Sequence, residues 1–224
     1  MDLNSTIRMF NNWADSYDTD VAEGGWGFEF YSDAIEWICS QITSKHHTDR
    51  IIDLGCGTGI VAKQLLKYNP YIEYIGIDIS ERMLEVAKDK CPKSFFIRAD
   101  MRQHLSWVNY LEPSLHCTVI STYALHHIND SEKIELIKYL FETSKRMDLR
   151  LVIVDYAFFD MCERKRVLHE QTKKGNFNIV NEIKSEHYAN LSFIANILSQ
   201  NNINFTLQKN GFWDWRILCE AMER

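Results

Sequence analysis

The stretch Ile51-Ile52-Asp53-Leu54-Gly55-Cys56-Gly57-Thr58-Gly59 constrains the fold more than any other part of the chain. An apolar pair leads into an acid, and glycine then recurs at every second position. The apolar run reads as a buried strand over 50–54, residues 55–59 as the turn at its carboxyl end, and Ile60 onward as a helix. Glycine reaches positive φ and removes the Cβ that would block a ligand lying on the main chain. The amide N–H groups that open the helix then face that ligand. In an open α/β sheet, the crevice beyond the strand carboxyl ends is the binding place. A G-x-G-x-x-G dinucleotide fingerprint is excluded, because its third glycine position is Ile60, and a P-loop is excluded because no Gly-Lys-Ser/Thr follows.

The downstream pattern repeats the strand–turn–helix rhythm. Residues 71–77 read as a second strand ending in Gly76-Ile77-Asp78-Ile79-Ser80, and Asp78 follows Gly55 by 23 residues. That is close to the roughly 20-residue spacing at which an acid meets a ribose in nucleotide-binding sheets. Residues 95–99 read as a third strand, followed by Asp100. Val61, Leu65 and Tyr68 are expected on the inner face of the helix after the first strand. Ser80 is placed to cap the next helix, with Ile79 and Leu84 as a hydrophobic staple. Residues 116–121 form the fourth strand, 130–145 a helix with Ile134, Ile137 and Phe141 inward, and 151–155 a fifth strand ending in Asp155-Tyr156. Leu191, Ile194, Ala195 and Leu198 mark a late helix. Residues 205–209 and 213–220 close the chain as a hairpin around Asn210-Gly211. Pro70, Pro92 and Pro113, the only prolines, each precede a predicted strand, which punctuates alternating helix and strand and hence a parallel sheet.

Upstream, Phe10, Trp13, Ala14 and Tyr17 follow i, i+3, i+4, i+7 spacing and predict one helix face. Phe10, Trp13 and Ala14 read as core packing, whereas Tyr17, beside Asp18, combines an apolar body with a polar tip suited to a site. Gly24-Gly25-Trp26-Gly27 fits either a hinge or a plain loop. A helix is expected over 31–42, with Ile35, Ile38 and Ile42 on one face, and His46 and His47 in a solvated connection. Residues 158–185 are an insertion made locally basic by Arg164, Lys165, Arg166, Lys173 and Lys174.

With 224 residues, 46 % hydrophobic and 25 % charged, the chain suits one globular domain with a substantial core. A net charge of −6 without a long basic run argues against a phosphate-dominated nucleic-acid partner. Cys39, Cys56, Cys91, Cys117, Cys162 and Cys219 form no C-x-x-C, so reduced thiols in a cytoplasmic protein are expected and no metal site. No apolar run approaches the roughly 20 residues of a membrane span, and residues 1–6 lack signal-peptide character.

The acid before G-x-G-x-G, with Asp78 and Asp100 at successive strand ends, resembles the class I S-adenosylmethionine (AdoMet)-dependent methyltransferases. Two further stretches carry the likeness. Residues 10–18 are similar to the WA-x-x-YD opening of many small-molecule methyltransferases, and Ser121-Thr122-Tyr123-Ala124-Leu125-His126-His127 resembles the YrrT-like members. The resemblance covers nearly the whole chain. It implies a Rossmann-like, seven-stranded, mostly parallel sheet with an antiparallel last strand, helices on both faces and an N-terminal helical lid. One domain is expected, with the lid over 1–49, the AdoMet core over 50–156, a cap insertion over 157–186 and a closing helix and hairpin over 187–224. Gly55, Cys56, Gly57 and Gly59 are implied to hold the amino-acid end of AdoMet, with Asp53 ordering the loop or meeting the amine. Asp78 and Ile79 are implied at the ribose, Asp100 and Met101 at the adenine, and Ser121 beside the cofactor. The family's Pro-Gly-Gly before the fifth strand is replaced by Ser144-Lys145-Arg146-Met147-Asp148-Leu149. The Asn/Asp-Pro-Pro-aromatic tetrad of nucleic-acid amino-methylating enzymes is absent after the fourth strand, which disfavours that class.

Methyl transfer is an in-line displacement in which proximity and alignment do most of the work, with a general base where the nucleophile must lose a proton. His126, His127, Tyr17 and Tyr123 are the catalytic candidates. Tyr17, Tyr123, His126, Asp155 and Tyr156 are the candidates for contact with a small-molecule substrate. Two other readings remain open: an AdoMet-consuming intramolecular cyclisation or lysis that releases methylthioadenosine, and a non-catalytic AdoMet-binding module. The expected assembly is a monomer or homodimer, with no nucleic acid or membrane as partner.

Overall fold

A computed structural model describes residues 3–24, 28–43, 48–144 and 149–220. Gly25-Trp26-Gly27, the pair His46 and His47, and the departure at 145–148 lie outside the described residues.

The sheet is built from β1 (Arg50–Leu54), β2 (Glu73–Asp78), β3 (Phe95–Arg98), β4 (Cys117–Thr122), β5 (Leu149–Phe158), β6 (Ala189–Asn190), β7 (Asn204–Lys209) and β8 (Asp214–Glu220). Its order is β3-β2-β1-β4-β5-β8-β7. The pairs from β3 to β5 are parallel, whereas β8 runs antiparallel to both β5 and β7. This is the expected mostly parallel sheet with an antiparallel last strand. One strand was not expected: β6 pairs with the end of β5 through Ala157↔Ala189 and Phe158↔Asn190, so the sheet counts eight strands.

The helices are α1 (Leu3–Trp13), α2 (Tyr17–Glu23), α3 (Tyr31–Thr43), α4 (Ile60–Tyr68), α5 (Glu81–Lys90), α6 (Asp130–Ser144), α7 (Met161–Lys173), α8 (Phe177–Ser185) and α9 (Leu191–Gln200). Strand alternation splits the core between the two faces. Ile52, Val119, Leu151 and Ile153 pack with Leu136 and Leu140 of α6 and Leu191 and Leu198 of α9. Ile51, Ile120, Val152 and Val154 pack with α3, α4 and parts of α7 and α8. Both faces are covered, so β4 and β5 are buried throughout, and 151–154 is a continuous apolar run. Between β1 and β4 the chain changes direction of travel across the sheet. The crevice beyond their carboxyl ends is therefore a topological switch point.

Three local expectations are corrected. Phe10, Trp13, Ala14 and Tyr17 do not share one helix, because α1 stops at Trp13 and α2 starts at Tyr17. The break is made by hydrogen bonds: Ser16 N–H donates to the Trp13 carbonyl (3.1 Å), and the Ser16 carbonyl opens the next helix by accepting from Asp20 (3.0 Å). Asp20 Oδ2 ties the corner by accepting from Trp13 Nε1 (2.5 Å) and Ser16 Oγ (3.1 Å). Tyr68 is 59 % exposed, while Val61, Ala62 and Leu65 are buried; at the last residue of α4 the side chain has left the sheet behind. On α6, Ile134 is only partly buried and Lys133 takes an inward place. Its ammonium bonds the carbonyls of Ile128 (2.6 Å) and His187. Ser80 does cap α5, accepting from Met83 N–H (3.1 Å). The basic insertion is two helices, α7 and α8, and its N-terminal cap is Asp160, which accepts from Glu163 N–H. Among the described residues no helix is long and apolar enough to cross a membrane, and no group of three or more His, Cys, Asp or Glu could hold a metal ion. All six cysteines are free thiols, and only Cys162 is exposed.

Candidate active site

A cleft enclosing about 860 Å³, part of it open to solvent, lies over the switch point. Its floor is the glycine turn. Gly55, Gly57 and Gly59 all have positive φ, at 79°, 51° and 74°. A Cβ on Gly55 would lie 2.3 Å from the Ala124 Cβ, so this glycine lets the β1 and β4 exits touch. A Cβ on Gly57 would meet nothing within 4 Å. Gly57 lines the cleft, so that Cβ would stand over the floor a ligand needs. Gly59 does not line the cleft; it caps α4.

Asp78, at the end of β2, fixes this turn. One carboxylate oxygen accepts from Gly57 N–H (2.9 Å) and the other from Ser80 N–H (2.8 Å). Burial pushes this carboxyl up, against the pull of those N–H groups. A carboxylate offers about four acceptor positions, so capacity is left for a ligand hydroxyl. Asp53 lies beneath the turn rather than in the cleft and is 1 % exposed. It accepts from the Tyr74 hydroxyl, its Oδ1 has no partner among the described residues, and burial pushes its carboxyl up to about 7.

Beyond β3, Ile79, Met83, Ala99 and Met101 line an apolar slot beside Asp100. Arg102 occupies Asp100: its Nε lies 2.9 Å and 3.0 Å from the two oxygens and Nη2 reaches Oδ2 at 2.5 Å. Burial alone would raise the Asp100 carboxyl, but these bonds outweigh it and hold it below the usual range. Arg102 also bridges to Glu132 (3.0 Å).

The roof comes from the N-terminal helices. Leu3, Thr6, Phe10 and Tyr17 line the cleft. The roof is fastened to the floor: Asp18 accepts from Thr58 Oγ1 (2.5 Å) and pairs with Lys90, while Asn11 Oδ1 accepts from Ser80 Oγ (2.7 Å). Burial pushes the Tyr17 phenol up to about 12, although its hydrogen bond with Tyr31 opposes this.

At the exit of β4, Thr122, Tyr123, Ala124 and His127 line the cleft. Tyr123 holds φ = 50°, a left-handed conformation that non-glycine residues rarely adopt and that concentrates at functional sites. Its ring lies 5.3 Å from Tyr31 and 4.8 Å from Tyr156.

The donor set fits AdoMet: an open glycine floor, a ribose-type carboxylate with spare acceptor positions, and an apolar slot for a flat ring. Residues 51–147 match the methyltransferase-domain family. An uncharacterized methyltransferase of Geobacillus sp. (strain WCH70) is 30 % identical over 92 % of this chain and 93 % of its own length. The chain belongs to the class I AdoMet-dependent methyltransferases. The uncharacterized methyltransferase YrrT of Halobacillus halophilus is 24 % identical over 97 % of this chain and 98 % of its own. Among solved structures, the plantazolicin methyltransferase BpumL, in complex with a pentazolic desmethyl analogue and S-adenosylhomocysteine, superposes with a TM-score of 0.64 at 15 % identity, covering 98 % of each chain.

In this methyltransferase, Gly55, Cys56, Gly57, Asp78, Ile79, Asp100 and Met101 line the cleft, together with Tyr17, Tyr123 and His127. Ser121 does not. Its Oγ donates to the Leu54 carbonyl (2.8 Å), tying β4 to β1, and the next residue, Thr122, reaches the cleft instead. A strand turns successive side chains to opposite faces, so a one-residue shift decides which enters. Thr122 Oγ1 has no partner among the described residues.

The two histidines part company as well. His126 is 7 % exposed and outside the cleft; its Nδ1 pairs with Asp155 Oδ1 (2.6 Å) and its backbone N–H donates to Oδ2 (3.1 Å). Asp155 is likewise buried beneath the site. His127 lines the cleft, its Nδ1 lies 3.2 Å from Glu186 Oε2, and Phe10 meets its ring edge-on at 5.2 Å. Burial, then the neighbouring His126, lower the His127 pKa. Tyr156 does not line this cleft but an adjoining one.

Phe10 reads as packing in the sequence but lines the cleft. Arg102, Tyr31, Met83 and Glu186 carried no motif. Only the position of Arg102 two residues after Asp100 gave a usable signal.

Proposed function

We propose that this methyltransferase acts on a small molecule by in-line transfer. The observation that carries the reading is the roof: α1 and α2 lie over the cleft and are fastened to the core by Asp18 and Asn11, which suits an enclosed small acceptor. Bound AdoMet supplies an activated methyl on sulfonium. The glycine turn would hold its amino-acid end, Asp78 its ribose hydroxyls, and the Ile79–Met101 slot its adenine. For an adenine amino group to reach Asp100, Arg102 must share or yield one carboxylate oxygen.

His127 is the proposed general base. Glu186 holds Nδ1, which leaves Nε2 as the acceptor nitrogen, and the lowered pKa keeps the ring neutral and able to take a proton at pH 7. Glu186 is a positioning residue. Tyr17 and Tyr123 serve as walls and hydrogen-bond donors, because burial keeps both phenols protonated at neutral pH. His126 and Asp155 brace the turn that presents His127.

The test is to incubate the protein with methyl-labelled AdoMet and a cell extract, then separate dialysable from retained material. Label in the dialysable fraction as methylated product supports the proposal. Label confined to retained protein or nucleic acid refutes it.

A further inference from the structure

A second cleft, of about 730 Å³, adjoins the first. Tyr123 is common to both. The second cleft is walled by Phe30 from the turn before α3, by Tyr123 and Tyr156 at the strand ends, by Ile179 of α8, and by Phe212 and Trp213 before β8. Gly211 brings that last turn against Phe30, whose ring would lie 2.5 Å from a Cβ placed there.

Its polar groups are unequal. Asp214 lines the cleft, is 1 % exposed, accepts from Asn210 Nδ2 (3.0 Å) through Oδ2 and from the Tyr123 hydroxyl, and has the Arg216 guanidinium near enough to favour its charged form. Its Oδ1 has no hydrogen-bond partner among the described residues. A buried carboxylate oxygen without a partner is costly unless a donor arrives to meet it. Aromatic faces around a carboxylate attract an organic cation through their quadrupoles. Glu29 adds a second acid at the rim, and Lys174, also exposed there, opposes a second positive charge on the ligand.

We propose that this cleft receives the methyl acceptor and that the acceptor is a small monoamine with an apolar body, its ammonium held by Asp214. The proposal rests on the methyltransferase reading above and sharpens it. The reaction balances. Asp214 holds the ammonium, the amine nitrogen gives up its proton to His127, the base proposed above, its lone pair forms the N–C bond, and the C–S electron pair stays on sulfur. Tyr123, strained at φ = 50° and paired with Asp214, lines both clefts and is the positioning residue at their junction.

Calorimetry on the protein saturated with S-adenosylhomocysteine tests this. The probes are three matched ligands: 2-phenylethylamine, 2-phenylethanol and 3-phenylpropionate. The amine should bind about tenfold more tightly than the alcohol, and the carboxylate least of all. D214N should erase the preference while S-adenosylhomocysteine affinity is retained. K174E, at the exposed rim, should strengthen the amine about threefold and leave the alcohol unchanged, and it keeps the proposal testable if D214N does not fold. Equal binding of all three probes, binding of none, or an amine preference untouched by both substitutions overturns the proposal. Those results leave the cofactor reading standing if S-adenosylhomocysteine still binds, whereas failure of the wild-type protein to bind S-adenosylhomocysteine defeats both.

Discussion

The floor and the roof of the proposed AdoMet cleft are built on different principles. The floor is mainly backbone: glycines at positive φ, amide N–H groups, and one carboxylate that fastens two of them. The roof and the second cleft are side chains: Tyr17, Tyr31, Tyr123, Tyr156, Phe10 and Trp213, drawn from elements far apart in the chain. Backbone recognition tolerates little substitution and suits a ligand that never varies. Side-chain recognition can be recut without disturbing the sheet, and it suits the acceptor.

The contrast should break most sharply at Gly55. G55A puts a methyl into the Ala124 side chain and an alanine at φ = 79°, so it should destabilise the fold by about 3 kcal/mol or more, seen as a large fall in Tm. Gly57 separates fold from function on the same floor. In G57A the added methyl meets no atom of the protein, so stability should fall only by about 1–2 kcal/mol from backbone strain, yet AdoMet affinity should collapse in a calorimetric titration.

D78A removes the fastener together with the proposed ribose acceptor and should weaken AdoMet roughly a hundredfold by the same titration. On the roof side, H127A should lower kcat about a hundredfold or more with little change in AdoMet affinity, while E186Q should lower kcat by about tenfold and shift the acid limb of the pH profile. H126A, by contrast, should register as lost stability, because it strands the buried Asp155. The smallest effect should come from D18N, which loosens the roof and should raise the KM for AdoMet by only about two- to fivefold.

One pH effect belongs to the floor alone. The folded-state pKa of Asp53 is raised to about 7 from an ordinary 3.8. A raised carboxyl contributes stability that is fully present below the unfolded pKa and is lost as pH rises through the folded one. Stability of the ligand-free protein should therefore fall between about pH 4 and pH 7 on account of this group. D53N should flatten that decline in a series of thermal melts, and an unchanged slope would mean that Asp53 is ionised throughout.

The same division explains what the sequence could and could not reveal. The floor was legible because local rules write it: glycine where φ is positive, an acid at each strand end, proline before strands, Ser80 at a cap. The roof depends on long-range packing that no short window contains. The 3.6-residue stripe from Phe10 to Tyr17 concealed a helix break made by Ser16 and Asp20. Ser121 and Thr122 could not be told apart without knowing which face of β4 meets the cleft. Two adjacent histidines looked equivalent until Asp155 claimed one and Glu186 the other. Arg102 on Asp100 and the partnerless oxygen of Asp214 exist only in three dimensions.

The central claim is that this cleft transfers the methyl of AdoMet to a separate small acceptor. Mass spectrometry of every adenosine species, with and without a mixture of small amines, tests it most directly. The account predicts intact AdoMet when the protein is incubated with cofactor alone, and S-adenosylhomocysteine rising in step with methylated amine once acceptors are added. Steady accumulation of methylthioadenosine from AdoMet alone would contradict it and make the protein a catalyst of an intramolecular reaction.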